Sequence, residues 1–124
     1  MRIIALVLCV GLTACAIGGE HLTQTHQIII TEVGSDKHPM TEACVNFSLS
    51  VPQVTAYFAT AIVIGPFEEH DHYAWAPCYV RGTAVVKGRR ATWEVRAGGT
   101  ARVVFPNGEV VLLADPSQRI SEEH

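Results

Sequence analysis

Residues 78–114 read CYVRGTAVVKGRRATWEVRAGGTARVVFPNGEVVLLA. Apolar and polar side chains alternate with a period of two across Cys78–Val86, Ala91–Ala97, Thr100–Phe105 and Glu109–Ala114, so each run predicts a strand with one buried and one wet face. The joints are Lys87-Gly88-Arg89-Arg90, Gly98-Gly99 and Asn107-Gly108. Asn-Gly between apolar runs is a strong hairpin signal, because both residues tolerate the positive φ of a two-residue turn. Four strands joined this way make an antiparallel meander. By parity one face carries Val80, Ala84, Val86, Trp93, Val95 and Val103, with Cys78, Ala97 and Phe105. The other carries Tyr79, Arg81, Thr92, Glu94, Arg96 and Arg102, with Thr83 and Thr100. Trp93, beside Val80 and Ala84, is the expected centre of the core.

The apolar face needs a cover. Ser50-Val51-Pro52-Gln53 starts a helix: Ser50 and Gln53 have capping-box spacing, and proline in the first turn costs no hydrogen bond. Val51, Val54, Phe58, Ala61 and Ile62 then share one helical face, and Gly65-Pro66 ends the run. The helix is expected over about 51–62, with Ile62-Val63-Ile64 turning extended. Upstream, QIIITEV (27–33) reads as a strand with Ile28, Ile30 and Glu32 on one side. A loop follows over 34–39. Cys44–Leu49 alternates as a short second strand, and the polar, aromatic stretch 67–77 reads as a loop. Runs of strands with one helix imply segregated layers. The expected fold is α+β: an antiparallel β-meander of about four strands, one or two N-terminal strands, and one short helix on the apolar face.

The chain of 124 residues holds one small domain, and 48% hydrophobic with 17% charged residues excludes a disordered or fibrous chain. A net charge of −3 excludes an overall basic nucleic-acid binder.

The first residues read as an address. Arg2 is followed by the apolar run Ile3–Leu12, which has signal-peptide length and is too short to span a bilayer. Leu12-Thr13-Ala14-Cys15 resembles the lipobox of bacterial lipoproteins. The resemblance implies cleavage before Cys15, lipidation of its thiol, and export. Ala16 stands where an aspartate resembles an inner-membrane retention signal, so the outer membrane, facing the periplasm, is expected. The organisation is then a signal peptide over 1–14, a lipid-anchored tether over 15–26, a domain over 27–115 and a polar tail over 116–124. Cys44 and Cys78 are the thiols left in the folded part, and the periplasm is oxidising, so they are expected to pair.

Chemistry is thinly written. Glu68-Glu69-His70-Asp71-His72 is the most ligand-like stretch: in an extended loop His70 and His72 point the same way, and imidazoles suit zinc or copper. Commoner is a solvated acidic loop with ordinary histidines. No nucleophile elbow or phosphate-cradling motif is present in the sequence, so no enzyme is expected. Charge distribution is more informative. Arg81, Lys87, Arg89, Arg90, Arg96 and Arg102 meet one opposing carboxylate, Glu94, within their window. Arg81, Arg96 and Arg102 share the polar face, and guanidinium forks suit carboxylate or phosphate recognition. Equally open is internal balance by Glu94 and the 68–71 stretch.

Trp75-Ala76-Pro77-Cys78-Tyr79-Val80-Arg81-Gly82-Thr83 and Trp93-Glu94-Val95-Arg96-Ala97-Gly98-Gly99-Thr100 resemble segments of small exported proteobacterial proteins without an assigned activity. Size, disulfide and sheet-rich build are also similar to small periplasmic lysozyme inhibitors, but their Ser-Ala-Ser-Gly-type loop is absent. Three functions stand open. The chain is a lipid-anchored periplasmic binding module, such as an inhibitor or immunity protein against an envelope-acting enzyme, meeting an acidic partner through the arginines. Alternatively it is an accessory lipoprotein of an envelope or secretion complex, or a metal-binding one.

Overall fold

The structure, a computed structural model, describes residues 20–22 and 24–120. The signal segment, Cys15, the tether as far as residue 19 and the last four residues lie outside it. Among the described residues, six strands form one antiparallel sheet: β1 (Thr25–Ser35), β2 (Ile62–Ile64), β3 (Cys78–Val86), β4 (Arg89–Arg96), β5 (Thr100–Val104) and β6 (Val110–Ala114). Their order is β1-β3-β4-β5-β6-β2. Three α-helices accompany them, α1 (Glu42–Val45), α2 (Val51–Thr60) and α3 (Pro66–His72), with one 3-10 turn at Pro116–Gln118. None of the described helices is long and apolar enough to cross a membrane.

The meander β3–β6 forms where the alternation put it, flanked by β1 and β2. One joint is tighter than expected. Lys87 (φ 52°) and Gly88 (φ 79°) both take positive φ, so Val86 pairs directly with Arg89, and Arg89 and Arg90 belong to β4. Two positive φ values match the right-handed twist of the flanking strands.

The sheet is not flat. His21 bridges Ile62 on the outer side of β2, while Thr25 opens β1 opposite Val86. The edges of a flat six-stranded sheet lie about 24 Å apart, whereas four residues reach at most about 14 Å. The sheet therefore curls until its edges approach, and buried Leu22 fills the seam.

The inside of the curl holds the main core. Ser50 Oγ accepts from Gln53 N at 3.3 Å while Gln53 Oε1 accepts from Ser50 N at 2.8 Å, which completes the capping box of α2. The helix buries Val54 and Phe58 against the sheet. Phe58 meets Trp93 edge-to-face, 5.9 Å between centroids. Trp93 is the expected core centre: it is buried, and its Nε1 donates to the Thr83 carbonyl at 2.8 Å. Its indole lies on Gly82, where a Cβ would strike both the ring and the Ile29 carbonyl. Cys44 and Cys78 form a disulfide that ties α1 to β3. It closes a loop 34 residues apart in sequence, a constraint of roughly 3–4 kcal/mol on the unfolded chain.

Four expectations are corrected. Cys44–Leu49 is not a strand: Glu42–Val45 turns helically and 46–50 is irregular, too short a stretch for alternation to decide. Residues 67–77 are not all loop, because Pro66–His72 is helical. Pro66 sits in the first turn and Glu68 Oε1 accepts from Gly65 N at 3.0 Å, so Gly-Pro ends one element and starts the next. Residues 20–22, expected within a tether over 15–26, pack on the domain instead: the Glu20 carbonyl accepts from Val63 N at 2.7 Å, and Leu22 is buried. Within the sheet, parity fails at Ala97, which is exposed at a turn, and at Tyr79 and Thr100, which are buried.

The outside of the curl is divided. On β2 and β6, Ile62, Ile64, Leu112 and Ala114 form a second apolar cluster with Tyr73, the residue that follows α3. On β1, β3 and β4 the same face is charged.

Candidate functional site

The charged half and the α3–Trp75 segment face each other across a cleft of about 630 Å³. Strand register builds its floor: Arg81 lies opposite Glu94 and Glu94 opposite Arg102, while Glu32, opposite Arg81 on its other side, stands just outside the cleft. The expected place of Glu32 is the side of Ile30. A register shift between Ile30 and Glu32 turns it outward instead.

Glu94 is the hub. Its Oε1 accepts from Arg81 Nε at 3.2 Å, and its Oε2 from Arg96 Nε at 2.8 Å and Nη2 at 2.7 Å. Arg96 continues outward: Nη2 pairs with Asp36 Oδ2 at 2.7 Å, and Nη1 donates to the carbonyls of Ala76 (3.0 Å) and Pro77 (3.4 Å). Its side chain is only 14% exposed. Arg96 thus latches the segment before β3 to the sheet, and its forks are filled. Arg81 stacks 3.8 Å over the Tyr79 ring and reaches Glu32 Oε1 at 3.5 Å. Burial pulls the Arg81 guanidinium toward neutrality, but Glu94, Tyr79 and Glu32 outweigh it and hold its pKa above the ordinary value. Burial raises the pKa of Tyr79, as does the bond its hydroxyl donates to Glu32 Oε2 at 3.1 Å.

The structure therefore brings Arg81, Arg96 and Arg102 to one cleft but gives them different work. The first two are neutralised internally. Arg102 is exposed, in the seam between the halves, with no carboxylate partner among the described residues. Trp75, 62% exposed, flanks the cleft 5.7 Å from the Arg96 guanidinium. The sequence hid these roles because parity shows which side chains share a face, not which carboxylates another loop brings to them. Asp36 and the carbonyls of 76–77 arrive from outside the meander.

The metal expectation does not survive the helix. His70 and His72 stand two apart on α3, about 200° round the axis, so they cannot converge on one ion from that element. His70 Nδ1 instead pairs with Asp71 Oδ1 at 2.9 Å at the surface. No group of three or more ligating side chains suited to a metal occurs among the described residues.

The chain matches no family model, no curated protein and no solved structure.

Proposed function

We propose that this protein is a non-catalytic, lipid-anchored binding module of the bacterial envelope, held by Cys15 on the periplasmic face of the outer membrane, which meets an acidic partner at the cleft beside α3. The observation that carries this reading is the exposed guanidinium of Arg102, set in a cleft whose other two arginines both have carboxylate partners. Glu94 has both carboxylate oxygens tied to guanidinium groups, which makes it a poor general base. An inhibitor or immunity protein against an envelope-acting enzyme is the form of module this suits, with the enzyme presenting a carboxylate to Arg102 and an apolar surface to Trp75. The test is capture from envelope extract with the delipidated domain. Wild type retains its partner at low salt, while Arg102→Ala loses it and rising ionic strength weakens it.

A second reading is an accessory lipoprotein docked by its sheet edge. It is favoured by β1, an edge strand of eleven residues on which Ile29 is 56% and Val33 47% exposed. A partner that survives high salt and tolerates Arg102→Ala selects this second reading.

A further inference from the structure

The reading of Cys15 as a lipid anchor has a geometric consequence for the folded domain. From Cys15 to Glu20 is five residues, a reach of at most about 18 Å. The headgroup layer takes up roughly 6 Å of that. What remains, about 12 Å, is less than half the diameter of a domain with a radius of gyration near 13 Å. The domain cannot turn the end that carries Glu20 away from the bilayer.

Register identifies that end. His21 lies antiparallel opposite Ile62, with His21 Nδ1 at 2.9 Å from the Ala61 carbonyl, and Glu20 bonds Val63. Followed from His21 to Glu20, the chain runs along β2 toward Ile64 and Gly65, the corner from which α3 emerges. At that corner Phe67 is 77% exposed, the most exposed of the large hydrophobic side chains described. Beside it a shallow hollow of about 440 Å³ is lined by Val63, Pro66, Val110, Val111 and Leu112. The nearby charges are mostly acidic, Glu20, Glu68 and Glu69 against Arg102 alone at the rim the hollow shares with the cleft, and Glu68 is turned back to cap Gly65. Attraction to anionic lipid is thus not the driving force.

We infer that the Pro66–Phe67 corner is a membrane-contact surface: the short leash holds it against the bilayer, and Phe67 enters the headgroup layer by its apolar ring. The inference rests on the lipid-anchor reading, and one experiment separates the two. Phe67→Trp full-length protein is produced in bacteria with a palmitate label, purified, and reconstituted into phosphatidylcholine vesicles with or without lipid brominated near the carbonyl end of the chain. Wild type supplies the background of Trp75 and Trp93. The expected result is labelled protein that floats with vesicles, in which the emission added by the Phe67→Trp indole is blue-shifted, quenched by bromolipid beyond the wild-type level and unchanged by added salt. Labelled, floating protein with no extra quenching overturns the inference and leaves the anchor standing. Protein that neither labels nor floats overturns both. A blue shift that follows protein concentration and ignores bromolipid also overturns it, because a second copy then covers the corner.

Discussion

The two halves of the outer face of the sheet keep one surface in place by opposite means. Over β2 and β6 the side chains are Ile62, Ile64, Leu112 and Ala114, and the chain returns to cover them with α3 and Tyr73. Over β1, β3 and β4 they are Glu32, Arg81, Glu94 and Arg96, and the charges satisfy one another, from half-exposed Glu32 to Arg96 at 14% exposure. An apolar surface gains by being removed from water, so it recruits a lid. A charged surface loses solvation when covered, so it is stable only as a matched network. The seam between the two regimes is where a side chain is left with neither a lid nor a partner, and Arg102 stands there. The apolar solution is used again, at larger scale, inside the curl, where Phe58 of α2 meets Trp93.

The sharpest break of the apolar solution is Trp93→Ala. It removes the ring that meets Phe58 and lies on Gly82, and it leaves a cavity that α2 cannot fill while the Cys44–Cys78 bond restrains β3. The expected loss is about 3–5 kcal/mol, read from the urea midpoint of the mature domain. A variant as stable as wild type contradicts the placement of the core.

The charged solution breaks less severely. Arg96→Ala removes two ion-pair partners and two carbonyl bonds at once, and leaves Glu94 with Arg81 alone. A hydrogen bond to a charged group contributes about 1.5–3 kcal/mol net of its exchange with water, but the bonds share one side chain and Asp36 is open enough to resolvate, so a loss of about 2 kcal/mol is expected. The same variant should show faster proteolysis between Tyr73 and Pro77, the segment Arg96 latches. Arg89→Ala is the control. Arg89 pairs with Glu109 at 3.0 Å and stacks on Phe105 at 4.0 Å, but both ion-pair side chains are well exposed, so less than about 1 kcal/mol is expected. Equal losses from Arg89 and Arg96 would mean that the hub has no special standing.

This contrast also governs how much the sequence disclosed. The meander was legible strand by strand, because alternation and positive-φ turn residues are local signals, and Gly99 (φ 99°) and Gly108 (φ 92°) occupy the turns they announced. Trp93 in the core and the α2 capping box followed from the same locality. The site was legible only as a set of arginines on one face. Which of them are engaged depends on Glu32, Asp36 and two loop carbonyls. These come from segments where a bulge, the returning chain and a helix opened by Gly-Pro decide the geometry, and none of those features has a period to count. His70 and His72 misled for the same reason. Two residues apart they converge on a strand and diverge on a helix, and the choice between the two was made at Pro66 and Glu68.

The smallest stability effect carries the most functional information. Arg102→Ala removes an exposed side chain with no carboxylate partner among the described residues, so its folding free energy should stay within about 0.5 kcal/mol of wild type. A gain is as instructive as no change. Arg102 lines the cleft with Arg81 and Arg96, and a gain would mean that their like charge is felt at Arg102 beyond what Glu94 and Asp36 cancel. Denaturant midpoints at low and moderate salt read this directly, because repulsion between exposed charges fades as the Debye length shortens. A stabilisation at low salt that disappears at moderate salt marks Arg102 as a cation the fold tolerates rather than uses, which is the position of a residue kept for an outside contact. A loss of about 1 kcal/mol or more, what a conventional hydrogen bond is worth, would instead make Arg102 a member of the network around Glu94 and take away the argument that sets it apart.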